Sequence, residues 1–175
     1  MIIKDKEFVK YEVADEIDDS FDPRYADSVF LPLKQLSSKT KGAKFEQIVE
    51  EAMSKSGHKV GKSVNGPDSD RAIDDLNVEI KGSFLWKGQD TFRFQQIRNQ
   101  DYDIIIFLFV YPDHISIRAA HKQDVMDVVA RQDEDGFFPH NQHGGKKVDS
   151  GTYFLDTTEE DMPFLIDLDK VKWVR

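Results

Sequence analysis

At 175 residues, with 39% hydrophobic positions and 13 phenylalanines, the chain has enough apolar side chains for one sizeable core, so it reads as a globular, soluble domain. No apolar run approaches membrane-spanning length, MIIKDKEFVK lacks a signal-peptide core, and the absence of cysteine removes disulfides, thiolate zinc sites and cysteine nucleophiles; a cytoplasmic protein with no membrane partner is expected. The net charge of -9 argues against nonspecific wrapping of nucleic acid, but it is unevenly spread: Met1 to Leu33 and the stretch after His121 are acidic, whereas Lys34 to Lys62 is basic.

Residues 1–33 form an acidic arm, with a short strand expected near Phe8 to Val13 and a Pro32-broken apolar lead-in from Val29 to Leu33 that packs on the core. Residues 34–130 are the expected catalytic core. It opens with a helix from about Lys41 to Ser56, because Phe45, Ile48, Val49, Ala52 and Met53 recur at helical spacing between a Thr40 cap and a Gly57 stop. Glu46 lies at the border of that stripe. A carboxylate there can reach over the sheet to a metal or accept a hydrogen bond from a lysine, while Glu50 and Glu51 read as ordinary surface residues.

His58 to Val64 alternates as a strand, and a β-hairpin from Gly66 to Trp86 follows. Strand periodicity puts Glu79 and Lys81 on one face. With Asp75 and Leu76 as the loop, Asp74 faces Asn77, Ile73 faces Val78, Ala72 faces Glu79 and Asp70 faces Lys81. Asp70 then joins Glu79 and Lys81 on that face, and the two carboxylates can hold one hard divalent cation beside an ammonium. Asp68, Asp74 and Asp75 compete for the same place; Asp70 is preferred, with Asp74 behind it, because the turn leaves Asp74 too near its tip. The plainer alternative is an amphipathic hairpin with a solvated charged face.

Thr91 to Gln100 (TFRFQQIRNQ) reads as a short polar helix whose Gln and Arg side chains suit phosphates, base edges or a metal-bound water. Ile104 to Val110 is the expected central strand, Ile115 to Ala119 a following one, and Lys122 to Ala130 a helix. Residues 131–175 form a carboxy-terminal extension of the same globular unit. Its loop, HNQHGGKK, offers His140 and His143 as a weak zinc pair, but a DNA-facing loop with Lys146 and Lys147 on phosphate is preferred. A strand at Thr152 to Asp156, a capping box at Thr157 to Glu160 opening an acidic helix, and an edge at Val171 to Val174 complete the reading.

The strings KGAKFE (Lys41 to Glu46), DR (Asp70-Arg71), VEIKGS (Val78 to Ser83), FQQIR (Phe94 to Arg98) and YDIIIFLF (Tyr102 to Phe109), in this order, resemble the PD-(D/E)xK nuclease superfamily, and most closely its type II restriction endonucleases. The resemblance covers under half of the chain. It implies an α/β, restriction-endonuclease-like core: a central mixed sheet flanked by helices in the order α-β-β-β-α-β. It gives Asp70, Glu79 and Lys81 the metal-binding and catalytic places, Glu46 that of the first-helix carboxylate, and Gln95 or Gln96 that of the active-site glutamine, with Gln96 counted as catalytic.

The expected reaction is Mg2+-dependent hydrolysis of double-stranded DNA at a short sequence by a homodimer. Asp70, Glu79 and the Ile80 carbonyl hold the ion, and Lys81 positions water. Lys39, Lys41, Arg71, Ser83, Gln95, Arg98, His143, Lys146 and Lys147 are the expected DNA contacts. A repair or recombination nuclease, a non-catalytic DNA-binding module and an acidic interaction protein are the rival readings.

Overall fold

The structure is a computed structural model that describes residues 1–4, 22–64, 68–134 and 152–173. The expected Phe8 to Val13 strand and the loop carrying His140, His143, Lys146 and Lys147 lie outside those residues.

The apolar run Ile104–Val110 is strand β6, and every one of its seven residues is buried. It is flanked by β4 (Leu76–Phe84), parallel to it, and by β7 (His114–His121), antiparallel to it. Beyond β4 lie β3 (Arg71–Ile73) and β2 (Val60–Lys62), both antiparallel to their neighbours; beyond β7 lie β1 (Ile2–Lys4) and the short β9 (Ile166–Asp167). The result is an α/β fold around a mixed sheet, flanked by a few helices.

The two faces are covered differently. Helix α2 (Ser38–Lys55) sets Phe45 against Gly82 of β4, where a Cβ would lie 2.3 Å from the Phe45 ring. Ahead of it, α1 (Leu31–Gln35) and a 3-10 turn at Pro23–Tyr25 bury Phe30, Leu33 and Tyr25 in the same core. Pro32 sits in the first turn of α1, where its missing N–H is harmless, so the apolar lead-in is a helix rather than a broken segment.

The other face meets a ribbon of β5 (Phe92–Arg98) and β8 (Thr152–Thr157). Phe94 packs edge-on against Phe107 at 4.7 Å and Phe109 at 5.0 Å, and Phe92 against Phe109 at 5.1 Å. Helix α3 (Lys122–Glu134) brings Val125 and Val129 into the core, which also takes Leu155, Met162, Leu168 and Trp173. All three segments of the chain therefore share one core.

Several expectations are corrected. Thr91 to Gln100 is a strand, β5, so the order after α2 is β-β-β-β-β and not β-β-β-α-β. Phe92, Phe94 and Ile97 face the core, and a bulge between Phe94 and Ile97 breaks the alternation that would have marked the strand. Residues 158 to 165 form turns in place of an acidic helix, with the Thr158 hydroxyl accepting the Asp161 N–H at 3.2 Å. Val171 to Trp173 are irregular, and β9 takes the edge. The first long helix is capped by Ser37 rather than Thr40, while Gly57, at φ 90°, ends it as expected.

Candidate functional site

The hairpin turns at Asp74-Asp75, one step earlier than expected, and pairs Ile73 with Leu76, Ala72 with Asn77 and Arg71 with Val78. Asp74 makes this possible. It adopts φ 49°, which aspartate tolerates, and its carboxylate meets His58 Nδ1 at 2.7 Å and accepts the Lys59 N–H at 2.9 Å. Every pair moves by two residues, so parity survives: continuing the register sets Asp70 across from Glu79 instead of Lys81.

Because β3 is only three residues long, β4 runs past it from Glu79 onward. Asp70 fills part of that gap. Its N–H donates to the Val78 carbonyl at 2.9 Å, and its Oδ2 accepts the Ile80 N–H at 2.8 Å. In an extended strand the N–H and C=O of one residue point to the same edge, so the Ile80 carbonyl faces the Asp70 side as well.

Glu79 and Lys81 share the face covered by the β5–β8 ribbon, since α2 covers the face of Gly82. Their Oε1 and Nζ lie 2.5 Å apart, with side chains 9% and 17% exposed. Burial pushes the Glu79 carboxyl above its ordinary range and Asp70 adds to that, while Lys81 and Arg98 pull the other way. Burial, then the charge on Glu79, raises the Tyr102 phenol. Arg98 stands close enough to act on Glu79, and its Nε is buried without a hydrogen-bond partner.

Glu46 stands on the α2 side of this edge. It pairs with Arg71 Nη1 at 2.8 Å rather than with Lys81, and Arg71 also reaches Glu50 at 3.5 Å. Burial raises the Glu46 carboxyl, and Asp70 and Lys81 are near enough to act on it, in opposite senses. Arg71 is thus committed to helix carboxylates. Of the rival aspartates, Asp68 accepts from Gln100 Nε2 at 3.1 Å, Asp74 is held in the turn, and Asp75 is exposed. Among the described residues no three His, Asp or Glu side chains gather closely enough to hold a metal ion by themselves. What the edge does offer is two carboxylates and a peptide oxygen, all hard donors, beside an ammonium.

Lys81 also opens onto a groove of about 460 Å³ between the start of α2, β4 and the β5 bulge. Lys34, Lys41, Lys81, Lys87 and Arg93 line it, Lys81 paired with Glu79 and Arg93 with Asp156, and among the described residues no carboxylate lines it. Gln95 and Gln96 are exposed on the bulge and line it too, with Gln96 in the left-handed region at φ 59°. Such a backbone is uncommon outside glycine and clusters at functional sites. Ser83 lines the groove and accepts the Arg93 N–H at 3.1 Å. Lys34 Nζ lies 4.6 Å from the Tyr25 ring centroid and 5.0 Å from that of Phe84, and burial lowers its affinity for a proton.

The structure therefore brings Asp70, Glu79, Ile80 and Lys81 to one edge, with Glu46 and Arg98 around it and Lys41, Ser83, Gln95 and Gln96 along the groove. Lys39 is exposed and not among the groove-lining residues. Sequence reasoning missed Trp86 and Lys87 as wall residues, and it weighed Arg93 for phosphates only as part of an expected helix. The β5–β8 pairing that brings Arg93 there joins residues about sixty positions apart, a separation no local pattern encodes.

Fold and site together define a mixed-sheet α/β protein with a half-buried acid–lysine cluster at a strand edge. Compared with protein-family models, curated proteins and solved structures, the chain matches none.

Proposed function

We propose that this chain is a metal-dependent DNA endonuclease. The observation that carries the reading is the buried Glu79–Lys81 pair with Asp70 across from it, opening onto a groove lined with cations in a chain of net charge -9. Burying two charges costs several kcal/mol, and a hydrophobic pair of similar size is often the more stable choice. Paired groups of this kind at a strand edge, with a carboxyl raised by burial, are what a catalytic centre requires.

Asp70, Glu79 and the Ile80 carbonyl suit Mg2+, which accepts one or two carboxylates and keeps waters and phosphate oxygens as its other ligands. The ion supplies a Lewis acid for the phosphoryl oxygen and a water of lowered pKa. Lys81 holds the attacking water by hydrogen bond, and Glu79 fixes where that ammonium sits. Arg98 brings a donor to the same face, and Lys34 and Lys41 hold the flanking phosphates. On this reading the restriction-endonuclease-like layout is kept in its hairpin and central strand, with β5 in place of the second helix.

A type II restriction endonuclease, cutting both strands of a duplex at a short sequence as a homodimer, is the fuller form of the reading. A repair or recombination nuclease would use the same residues, and one observation, the exposed Trp86 beside the groove, favours it.

Plasmid nicking with Mg2+ tests the chemistry. Lys81→Ala and Glu79→Ala should each slow nicking by roughly 100-fold or more. Asp70→Asn should abolish the Mg2+ heat seen by calorimetry. Variants that cut at the parent rate would leave Glu79 and Lys81 as a buried structural ion pair.

A further inference from the structure

We propose that His58 is a positioning residue for the strand-edge site: through Asp74 it fixes the hairpin in the register that sets Asp70 across from Glu79. The inference rests on the metal-dependent reading above and names what, outside that site, governs its hold on the cation.

The hairpin itself carries little that would choose this register. Its loop, Asp74-Asp75, lacks the glycine that two-residue hairpin loops favour, and only the first of the two takes a positive φ, at 49°. Strand β3 is three residues long and ends at Ile73, across from Leu76. A loop one step later, at Asp75-Leu76, would keep every side chain on its face and set Asp70 across from Lys81. That shift would take the Asp70 carboxylate away from the Ile80 N–H, which it accepts at 2.8 Å.

The selection is made at the turn. The Asp74 carboxylate meets His58 Nδ1 at 2.7 Å and accepts the Lys59 N–H at 2.9 Å, the Asp74 N–H donates to the Lys59 carbonyl at 2.8 Å, and the Asp75 N–H donates to the Trp173 carbonyl at 3.3 Å. The bond from His58, then that from Lys59, holds the Asp74 carboxyl below its ordinary range. An ionised carboxylate only accepts, so Nδ1 is the donor.

His58 belongs to the framework as well as to the turn. Its N–H donates to the Met53 carbonyl at 3.1 Å, closing the end of α2, and its ring lies 5.5 Å from the ring of the buried Trp173. Helix α2 is also the element that Phe45 seats over Gly82 of β4. Both strands of the hairpin are therefore referred to one helix, β4 through Phe45 and β3 through His58. The Glu46–Arg71 pair joins β3 to the same helix at 2.8 Å, but two long side chains can follow a slip of one residue, about 3.3 Å along a strand. A bond to the turn residue cannot.

The test follows amide hydrogen exchange residue by residue in the full chain and in His58→Ala, His58→Asn and Asp74→Gly. The Ile80 N–H points at Asp70, whereas the N–H of Lys81 points to the β6 side, as does the Asn77 carbonyl that accepts the Asp103 N–H at 2.9 Å. His58→Ala should speed exchange at Ile80 about tenfold or more and leave Lys81 near the parent rate. His58→Asn puts an amide N–H close to where Nδ1 stood and should restore the protection. Asp74→Gly keeps the positive φ without steric cost and loses the bond to His58, so it should behave as His58→Ala does. Mg2+ affinity by calorimetry should follow the same order, about tenfold weaker in His58→Ala and Asp74→Gly and recovered in His58→Asn.

Parent-like protection of Ile80 in His58→Ala or Asp74→Gly would overturn the inference, because the hairpin would then choose its own register. Equal acceleration at Ile80 and Lys81 would overturn it too, as loosening of the whole sheet, and so would a His58→Asn variant that restores nothing. Faster Ile80 exchange with Mg2+ affinity unmoved would remove the positioning role. A parent chain that takes up no Mg2+ sinks the metal-dependent reading instead, while the exchange rates still decide what sets the register.

Discussion

Opposing influences meet at the Glu79 carboxyl. Burial raises its pKa most, Asp70 raises it further, and Lys81 at 2.5 Å opposes both. Removing the Asp70 charge should therefore lower the Glu79 pKa. In metal-free protein, Asp70→Asn should shift the side-chain carboxyl resonance of Glu79 to titrate at lower pH than in the parent, as read by carbon NMR; an unchanged midpoint would mean that the two carboxylates do not sense each other. The sign for stability follows. A carboxyl whose folded pKa lies above its unfolded value opposes folding in full above the folded pKa, and that opposition fades as pH falls through it. The Glu79 charge therefore weighs on the fold above its folded pKa, and under the proposed function that cost is one carried by a catalytic group. The E-x-K spacing was legible because strand parity needs no tertiary information. The choice among four aspartates was harder, since it turns on which residue takes the left-handed turn position, and Asp74 takes it with help from His58, sixteen positions away.

At the scale of elements, one close approach sets the relation of helix to sheet. Phe45 lies over Gly82, and any Cβ there would sit 2.3 to 2.5 Å from three ring carbons. Helix α2 could not keep its place over a larger residue, and Glu46, the next residue along, would leave Arg71 with Phe45. Gly82→Ala should cost about 1 to 3 kcal/mol in urea denaturation through overpacking. Full stability in that variant would show that the ring swings aside and the helix is not pinned there. The helix itself was plain in the sequence, because five apolar residues at i, i+3, i+4 spacing fit no other element. Strand β5 was hidden for the converse reason. Its bulge inserts one extra residue between Phe94 and Ile97, so Phe92, Phe94 and Ile97 match neither strict alternation nor a helical stripe. That same bulge turns Gln95 and Gln96 out toward the groove, so the irregularity that obscured the strand is part of what builds the site.

At the scale of the whole molecule, the proposed function sets an overall charge of -9, which repels a polyanion, against one groove lined with lysines that would have to hold it. On that reading, binding depends on a small number of local phosphate contacts and weakens with salt in proportion to their number. For single-stranded DNA the slope of log affinity against log salt is about -0.7 for each phosphate neutralised. If Lys34 and Lys41 each meet one phosphate, replacing both with glutamine should make the slope shallower by about 1.4, twice the contribution of a single phosphate. The control is Lys55→Gln/Lys59→Gln, which removes the same two charges: both lysines are exposed and neither is among the groove-lining residues, so the slope should not move. Net charge cannot explain such a difference. Both lysines and the control lie in the same basic stretch of sequence, and their contributions to the protein's long-range field are alike. Only a phosphate seated in the groove separates them. Equal slopes for Lys34→Gln/Lys41→Gln and the parent would place the backbone elsewhere on the molecule and leave the groove without its proposed occupant.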